Sequence, residues 1–357
     1  MNDNKISVDL ILKNLAKQQK KTKLKLKKGT EVLTGELQTK IGATPFDIVY
    51  QEDRIRVKHY KPEKVKHKTP LLIVYALINR HTMLDLQPER SVVETLLKHG
   101  VEIFMIDWGY PTRKDQYLTI DDHVNGYMDN VVNFICSQKS IPRINLMGIC
   151  MGGTFCVIYS ALHPEKIKNL VLTVTPTNFD TKKGLLHIWM KHTQTERLSE
   201  AYGNMPGDIM NLGFLLLNPA RLMIDKYVGF VKNMDNKAFV ENFVRMEKWI
   251  FDSPDVPAAT FRQFIGDCYK QNLLIQSKMR VNGRRVNLKK ITMPILNFYG
   301  EYDHLVPPEA CKLITQKVGS TDTKEVCFKT GHIGIYVSAK CQREFAPTIA
   351  TWLEQRE

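Results

Sequence analysis

The chain has no long apolar run. Its longest uninterrupted one, "LLIVYALI" at 71–78, is far too short to cross a bilayer. No segment reads as a secretory signal: the apolar patch "ISVDLILKNLA" is broken by Asp9 and Lys13 and lacks a small-residue cleavage site. A chain with no visible export route is expected to keep its thiols reduced in the cytosol. The seven cysteines, an odd number, fit that expectation. No C-x-x-C occurs, and Cys150 and Cys156 lie six residues apart on different faces of a helix, which argues against a metal site. A phosphate-cradling glycine loop and a dinucleotide fingerprint are also missing. Internal repeats, low-complexity tracts and proline-rich linkers are absent.

What is present looks like an ordinary globular protein: 357 residues, 43% hydrophobic and 25% charged, enough for one large core with an embedded second lobe. The formal charge of +14 is uneven. Residues 1–70 hold 17 Lys/Arg against 8 Asp/Glu, and the densest stretch is "KKTKLKLKKG". Such a stretch attracts an acidic partner or a phosphate-bearing substrate such as acyl-coenzyme A, or else is a solvated lysine-rich arm. No aromatic interleaving or nucleic-acid module accompanies it, so no nucleic-acid partner is expected.

Beyond the arm, "IGATPFDIVYQEDRIRVKHYKP" reads as a short helix running into an edge hairpin. Apolar strands then alternate with helices: strand 71–78, helix 91–100, strand 101–109, amphipathic helix 120–139, strand "INLMGI", helix "GGTFCVIYSALHPEK" and strand "NLVLTVTPTNFD". This rhythm predicts a parallel sheet covered on both faces. It breaks at about 180–290, where Met-, Phe- and Trp-rich helical segments stand, and resumes with "MPILNFYG" and "KEVCFK". The expected domains are a basic arm (1–40), a core (41–180 and 291–357) and a mostly helical lid (181–290).

The chemistry centres on "INLMGICMGGTF", a strand, a sharp turn and a helix with Cys150 at the apex. Hydrolases built on such a nucleophile elbow carry serine there, then an acid and a histidine in that chain order, each after a later strand. Asp303 follows "MPILNFYG" and His332 follows "KEVCFK", so the pattern predicts an α/β-hydrolase fold with Cys150, Asp303 and His332 as catalytic residues. His304, beside Asp303, reads as a loop contact, and His123 as a structural residue on the polar side of its helix. The other six cysteines read as small buried hydrophobes. A cysteine at a helix N-terminus beside a histidine has its thiolate favoured. Sulfur also keeps an acyl group taken from a thioester activated for a second transfer, whereas hydrolysis alone does not require that choice. The oxyanion would rest on the backbone N–H of Met151 and on a second donor from Leu77-Ile78-Asn79, for which Ile78 is chosen.

The set "YALINR", "LDLQPERS", "IDWGYP", "GICMGGTF", "RMEKWIFDSPD", "FRQFIGDCYKQN", "DHLVPP" and "GHIGIYVS" resembles the catalytic subunit of class III polyhydroxyalkanoate synthases, from about residue 40 to the C-terminus. The resemblance implies polymerisation of 3-hydroxyacyl-coenzyme A, typically 3-hydroxybutyryl-coenzyme A, with no cofactor beyond the coenzyme A that leaves. It implies Cys150 as the acylated nucleophile and His332 as its base. Asp303 either orients His332 or helps deprotonate the incoming 3-hydroxyl. It further implies a noncatalytic second subunit, dimerisation, and a cytoplasmic location on polymer granules. Several class III members carry glutamine where Met151 stands, a change that a backbone donor tolerates. The rival readings are a thiol esterase or depolymerase on the same fold, and an inactive granule scaffold.

Overall fold

The computed structural model describes residues 8–357. The first seven residues of the expected basic arm lie outside that range. The described chain forms two compact units, one of Ile41–Leu217 with Trp249–Glu357, the other of residues up to Lys40 with Asn218–Lys248.

The larger unit is built on one eight-stranded sheet: β1 (Asp47–Glu52), β2 (Ile55–Tyr60), β3 (Leu71–Val74), β4 (Ile103–Asp107), β5 (Ile144–Ile149), β6 (Ile167–Thr173), β7 (Ile295–Gly300) and β8 (Thr323–Phe328). The spatial order is β1-β2-β4-β3-β5-β6-β7-β8, with β1 and β2 antiparallel to their neighbours and all pairs from β4 to β8 parallel. Every residue of β3, β4, β5 and β7 is buried, as near-continuous apolar strands covered on two faces must be. The edge strands β1 and β8 are mostly exposed and carry charged side chains, which discourages pairing with a second sheet. The elbow helix Met151–Leu162 is apolar around its whole circumference and is buried at every position.

Several elements differ from the sequence reading. No helix forms between Ile41 and the β1–β2 hairpin, because Gly42 turns to φ +67° and Pro45 follows. The strand expected over 71–78 ends at Val74, and Tyr75 to Arg80 leave the sheet as a loop. The strand after the elbow helix stops at Thr173, where buried Val174 is held at φ +45°. The helix expected over 120–139 begins with wide i→i+5 turns, Asp122–Met128, before regular α-helix from Asp129. A wide turn shifts the helix faces. His123 is therefore fully buried against Trp108 and Phe155 rather than on a polar face, while Val124, Met128, Val131, Val132 and Ile135 are buried as the spacing predicts. Of the six other cysteines four are buried, but Cys136 is half-buried and Cys327 is exposed because it lies on the edge strand β8.

The smaller unit holds the described part of the basic arm, which is a helix (Val8–Thr34). Gly29 of this helix lies against Met234. Two more of the unit's helices, Lys226–Asn233 and the part of Lys237–Phe251 up to Lys248, are joined by Phe230 tilted against Phe243 at 4.3 Å and by the Lys226–Glu247 ion pair at 2.5 Å. Within the expected lid, 218–248 groups with the arm, and 181–217 and 249–290 group with the core. No helix among the described residues is long and apolar enough to cross a membrane.

Candidate active site

The parallel strands bring their C-terminal ends to one rim of the sheet. The elbow stands after β5. Cys150 is held at φ 52°, ψ −123°, a backbone region that side chains other than glycine rarely adopt. Its N–H donates to Thr173 O at 3.0 Å, and its carbonyl accepts from Thr154 N at 3.2 Å. A cysteine held this way stands off both the strand and the helix, which presents its sulfur at the rim.

The neighbouring glycines make that turn possible. A Cβ on Gly152 would lie 2.4 Å from Val74 O and 2.5 Å from Tyr75 O, and one on Gly148 would lie 2.4 Å from the Gly153 Cα. The helix thus touches the backbone at the end of β3, where no side chain fits. Gly152→Ala is expected to destabilise the protein by about 1–3 kcal/mol and to impair turnover by forcing the helix from β3. Gly126→Ala, with nothing within 4 Å, should leave the urea midpoint in place or raise it. Equal midpoints for the two variants would contradict this packing account.

Asp303 follows β7 and is buried. Its Oδ1 accepts from the N–H groups of Leu305 and Val306, both at 2.9 Å, and its Oδ2 lies 2.7 Å from His332 Nδ1. One oxygen is pinned by the chain and the other fixes the imidazole, so the ring's remaining nitrogen is the one left for Cys150. Burial by itself would push the His332 imidazole down. The Asp303 charge, the neighbouring Cys150 and hydrogen bonds to both outweigh burial and raise it to about 10. The structure therefore brings Cys150, Asp303 and His332 together. No group of three or more His, Cys, Asp or Glu among the described residues could hold a metal ion.

Met151 is the first residue of the elbow helix, so its N–H has no acceptor within that helix. Of the three candidates for the second donor, Asn79 uses its N–H on Ser253 Oγ at 3.4 Å. The Leu77 and Ile78 N–H groups both meet no acceptor among the described residues. The start of this loop is fixed by Trp108, whose indole N–H donates to Tyr75 O at 2.9 Å.

Some neighbours were not singled out in the sequence. Tyr75, Tyr269 and Tyr336 are buried around the sulfur; burial pushes their hydroxyls up, and Cys150 adds to each shift. They come from the loop after β3, the lid and the segment after His332, and only "GHIGIYVS" among the quoted motifs placed a tyrosine beside a catalytic candidate. On the lid helix Leu185–His192, His187 is buried with neither ring nitrogen hydrogen-bonded, and burial holds it down at about 4 despite the Asp303 charge.

Comparison with known proteins accounts for this arrangement. A profile described as the alpha/beta hydrolase fold matches residues 69–339, and one described as the poly-beta-hydroxybutyrate polymerase (PhaC) N-terminus matches residues 7–96. The poly(3-hydroxyalkanoate) polymerase subunit PhaC of Thiocystis violacea is 42% identical over 98% of this chain and 99% of its own length. The chain belongs to the PhaC polymerase family. The PhaC subunit of Allochromatium vinosum is 44% identical over 93% of this chain and 94% of its own. The PhaC of Rhizobium etli is 27% identical, and the match spans 87% of this chain but only 51% of that longer one. Within the PhaC family the chain thus matches the short subunits end to end. Among solved structures, a monoacylglycerol lipase of Paleococcus ferrophilus matches 84% of this chain and 99% of its own at 14% identity, with a TM-score of 0.55. A Thermogutta terrifontis esterase matches 87% and 97% at 16% identity, with a TM-score of 0.53. These two show the fold that the PhaC family shares with hydrolases.

Proposed function

We propose that this PhaC family member polymerises 3-hydroxyacyl-coenzyme A, short-chain substrates above all, through a thioester on Cys150. The observation that carries the reading is a cysteine, not a serine, at the strained elbow beside an imidazole hydrogen-bonded to Asp303 at 2.7 Å. Cys150 passes its thiol proton to His332 and its sulfur attacks the thioester carbonyl, and the oxyanion is stabilised by the N–H groups of Met151 and Ile78. The C–S bond to coenzyme A breaks, and the leaving sulfur takes its proton from His332. The acyl group now sits on sulfur at nearly the free energy it had in the substrate. A 3-hydroxyl of a second acyl unit gives up its proton to His332, attacks the cysteinyl thioester and forms the ester bond, releasing Cys150. Asp303 orients His332 through both steps.

The wider reading has the same origin. A noncatalytic second subunit, a homodimer and a place at the surface of cytoplasmic polymer granules are proposed with it, from the resemblance of the motifs. The test is to incubate the purified chain with 3-hydroxybutyryl-coenzyme A, with and without a second subunit encoded beside it. Turbidity should rise together with free coenzyme A, and the insoluble product should be polyester. Free 3-hydroxybutyrate as the main product would instead identify a thiol esterase. No coenzyme A release under either condition would leave only the scaffold reading.

A further inference from the structure

The loop that follows β3 is gripped by one segment of the lid. Asn79 stands in the left-handed region at φ 59°, which asparagine adopts more readily than other residues with a side chain. Its backbone N–H donates to Ser253 Oγ at 3.4 Å. Its side-chain amide donates to Ile250 O at 3.3 Å and to Asn211 Oδ1 at 3.5 Å. These contacts lie near the outer limit of hydrogen bonding. The groups on either side are tighter: the Asn211 amide donates to the same Ile250 O at 2.7 Å, and the Trp249 indole donates to Arg80 O at 2.7 Å. Arg80 is fixed in turn by Asp107 at 3.0 Å and lies 4.5 Å over the Tyr110 ring, whose hydroxyl donates to Asp252. Residues 79–80 are therefore tied to 249–253 from both sides, with the weakest ties at Asn79 itself.

We propose that Asn79 is a positioning residue, which holds the Ile78 N–H in register for the oxyanion while lid segment 249–253 is seated on it. This inference rests on the acyl-transfer reading above. The physical reason is that a peptide N–H has no side chain of its own to aim it. Its direction follows from Leu77 ψ and Ile78 φ, so the chain has to be held on both sides of it, and Asn79 is the adjacent residue that side-chain and backbone contacts hold. Those contacts come from the lid. Seating the lid completes the donor set, and a lid that lifts releases it, so that charge stabilisation is available when the lid also excludes water.

The test compares two reactions of the same sulfur. Alkylation of Cys150 by iodoacetamide needs a nucleophilic sulfur and passes through no oxyanion; release of coenzyme A from 3-hydroxybutyryl-coenzyme A needs both. Asn79→Gly keeps the left-handed backbone accessible and removes the amide. It is expected to lower kcat by about 10–100-fold, approaching the loss of one oxyanion donor, while KM and the alkylation rate change by less than about twofold. Ser253→Ala removes a single contact and should move kcat the same way by a smaller factor, which protects the test against an Asn79 variant that does not fold. An unchanged kcat in both variants overturns the proposal. So does a parallel fall in alkylation, which marks a structural role, or a rise in KM alone, which marks ground-state binding. Failure of the underlying reading is separate: in that case Cys150→Ala still releases coenzyme A.

Discussion

Cys150→Ala is expected to abolish release of coenzyme A from 3-hydroxybutyryl-coenzyme A, a loss of at least about four orders of magnitude. The elbow is the reason for so large an effect. Its backbone strain at φ 52° and its glycine contacts place the Cys150 side chain against His332, so a water molecule cannot take over the role of a missing sulfur. Cys150→Ser separates two parts of the argument. A hydroxyl fits the same turn, as the fold's serine-bearing relatives in general show, so the variant should fold with an unchanged urea midpoint. It should still polymerise very poorly. An oxygen ester formed from a thioester drops in free energy at once, and the next transfer to a 3-hydroxyl then has little driving force. Near-normal polymer from Cys150→Ser would sink the thioester argument, and substantial turnover by Cys150→Ala would sink the nucleophile itself.

The catalytic candidates were legible in the sequence because the parallel sheet imposes their position. Cys150 and Asp303 follow strands of strongly apolar pattern and His332 follows the more polar edge strand β8; parallel strands all end on one rim, so chain order alone predicts that the three share a neighbourhood. What the sequence did not disclose depends on contacts between distant segments. Tyr75 to Ile78 continue an apolar run and read as strand, yet the chain leaves the sheet there as a loop that runs to Arg80, with Trp108 holding Tyr75 and Trp249 holding Arg80. Neither tryptophan's target has a local signature. His123 was misplaced because periodicity assumes 3.6 residues per turn, and the wide turns of Asp122–Met128 break that assumption. The lysine-rich arm reads from its charge as a solvated segment or an attractor of anions, and neither reading gives its secondary structure. Among the described residues it is helical, and the glycine that lets Met234 approach it carries no such meaning when read alone.

The pH behaviour of Asp303→Asn tests the remaining member of the set. In the native protein the His332 imidazole titrates at about 10, against an ordinary value near 6.5, because the influence of Asp303 and Cys150 outweighs the effect of burial. A raised histidine holds its proton more tightly folded than unfolded. Its contribution to stability is therefore complete below about pH 6.5, falls by about 1.4 kcal/mol per pH unit for one proton above that, and is gone once the pH passes about 10. Asn at position 303 removes the charge, so burial should dominate and bring the imidazole down. The alkaline decline between pH 7 and 9.5 should then flatten, which urea midpoints at the two values would detect. Activity should respond in the same sense. The protonated imidazole is what hands a proton to the departing coenzyme A, so the alkaline limb of the turnover profile should move toward neutrality in the variant. Peak turnover should drop by about 10²–10⁴-fold, the scale seen when a histidine loses its orienting carboxylate. If instead Asp303 served only to deprotonate the 3-hydroxyl, coenzyme A release in the first acylation would keep its wild-type rate and its alkaline limb. Chain growth alone would suffer, and the orienting role argued from the 2.7 Å bond would be lost.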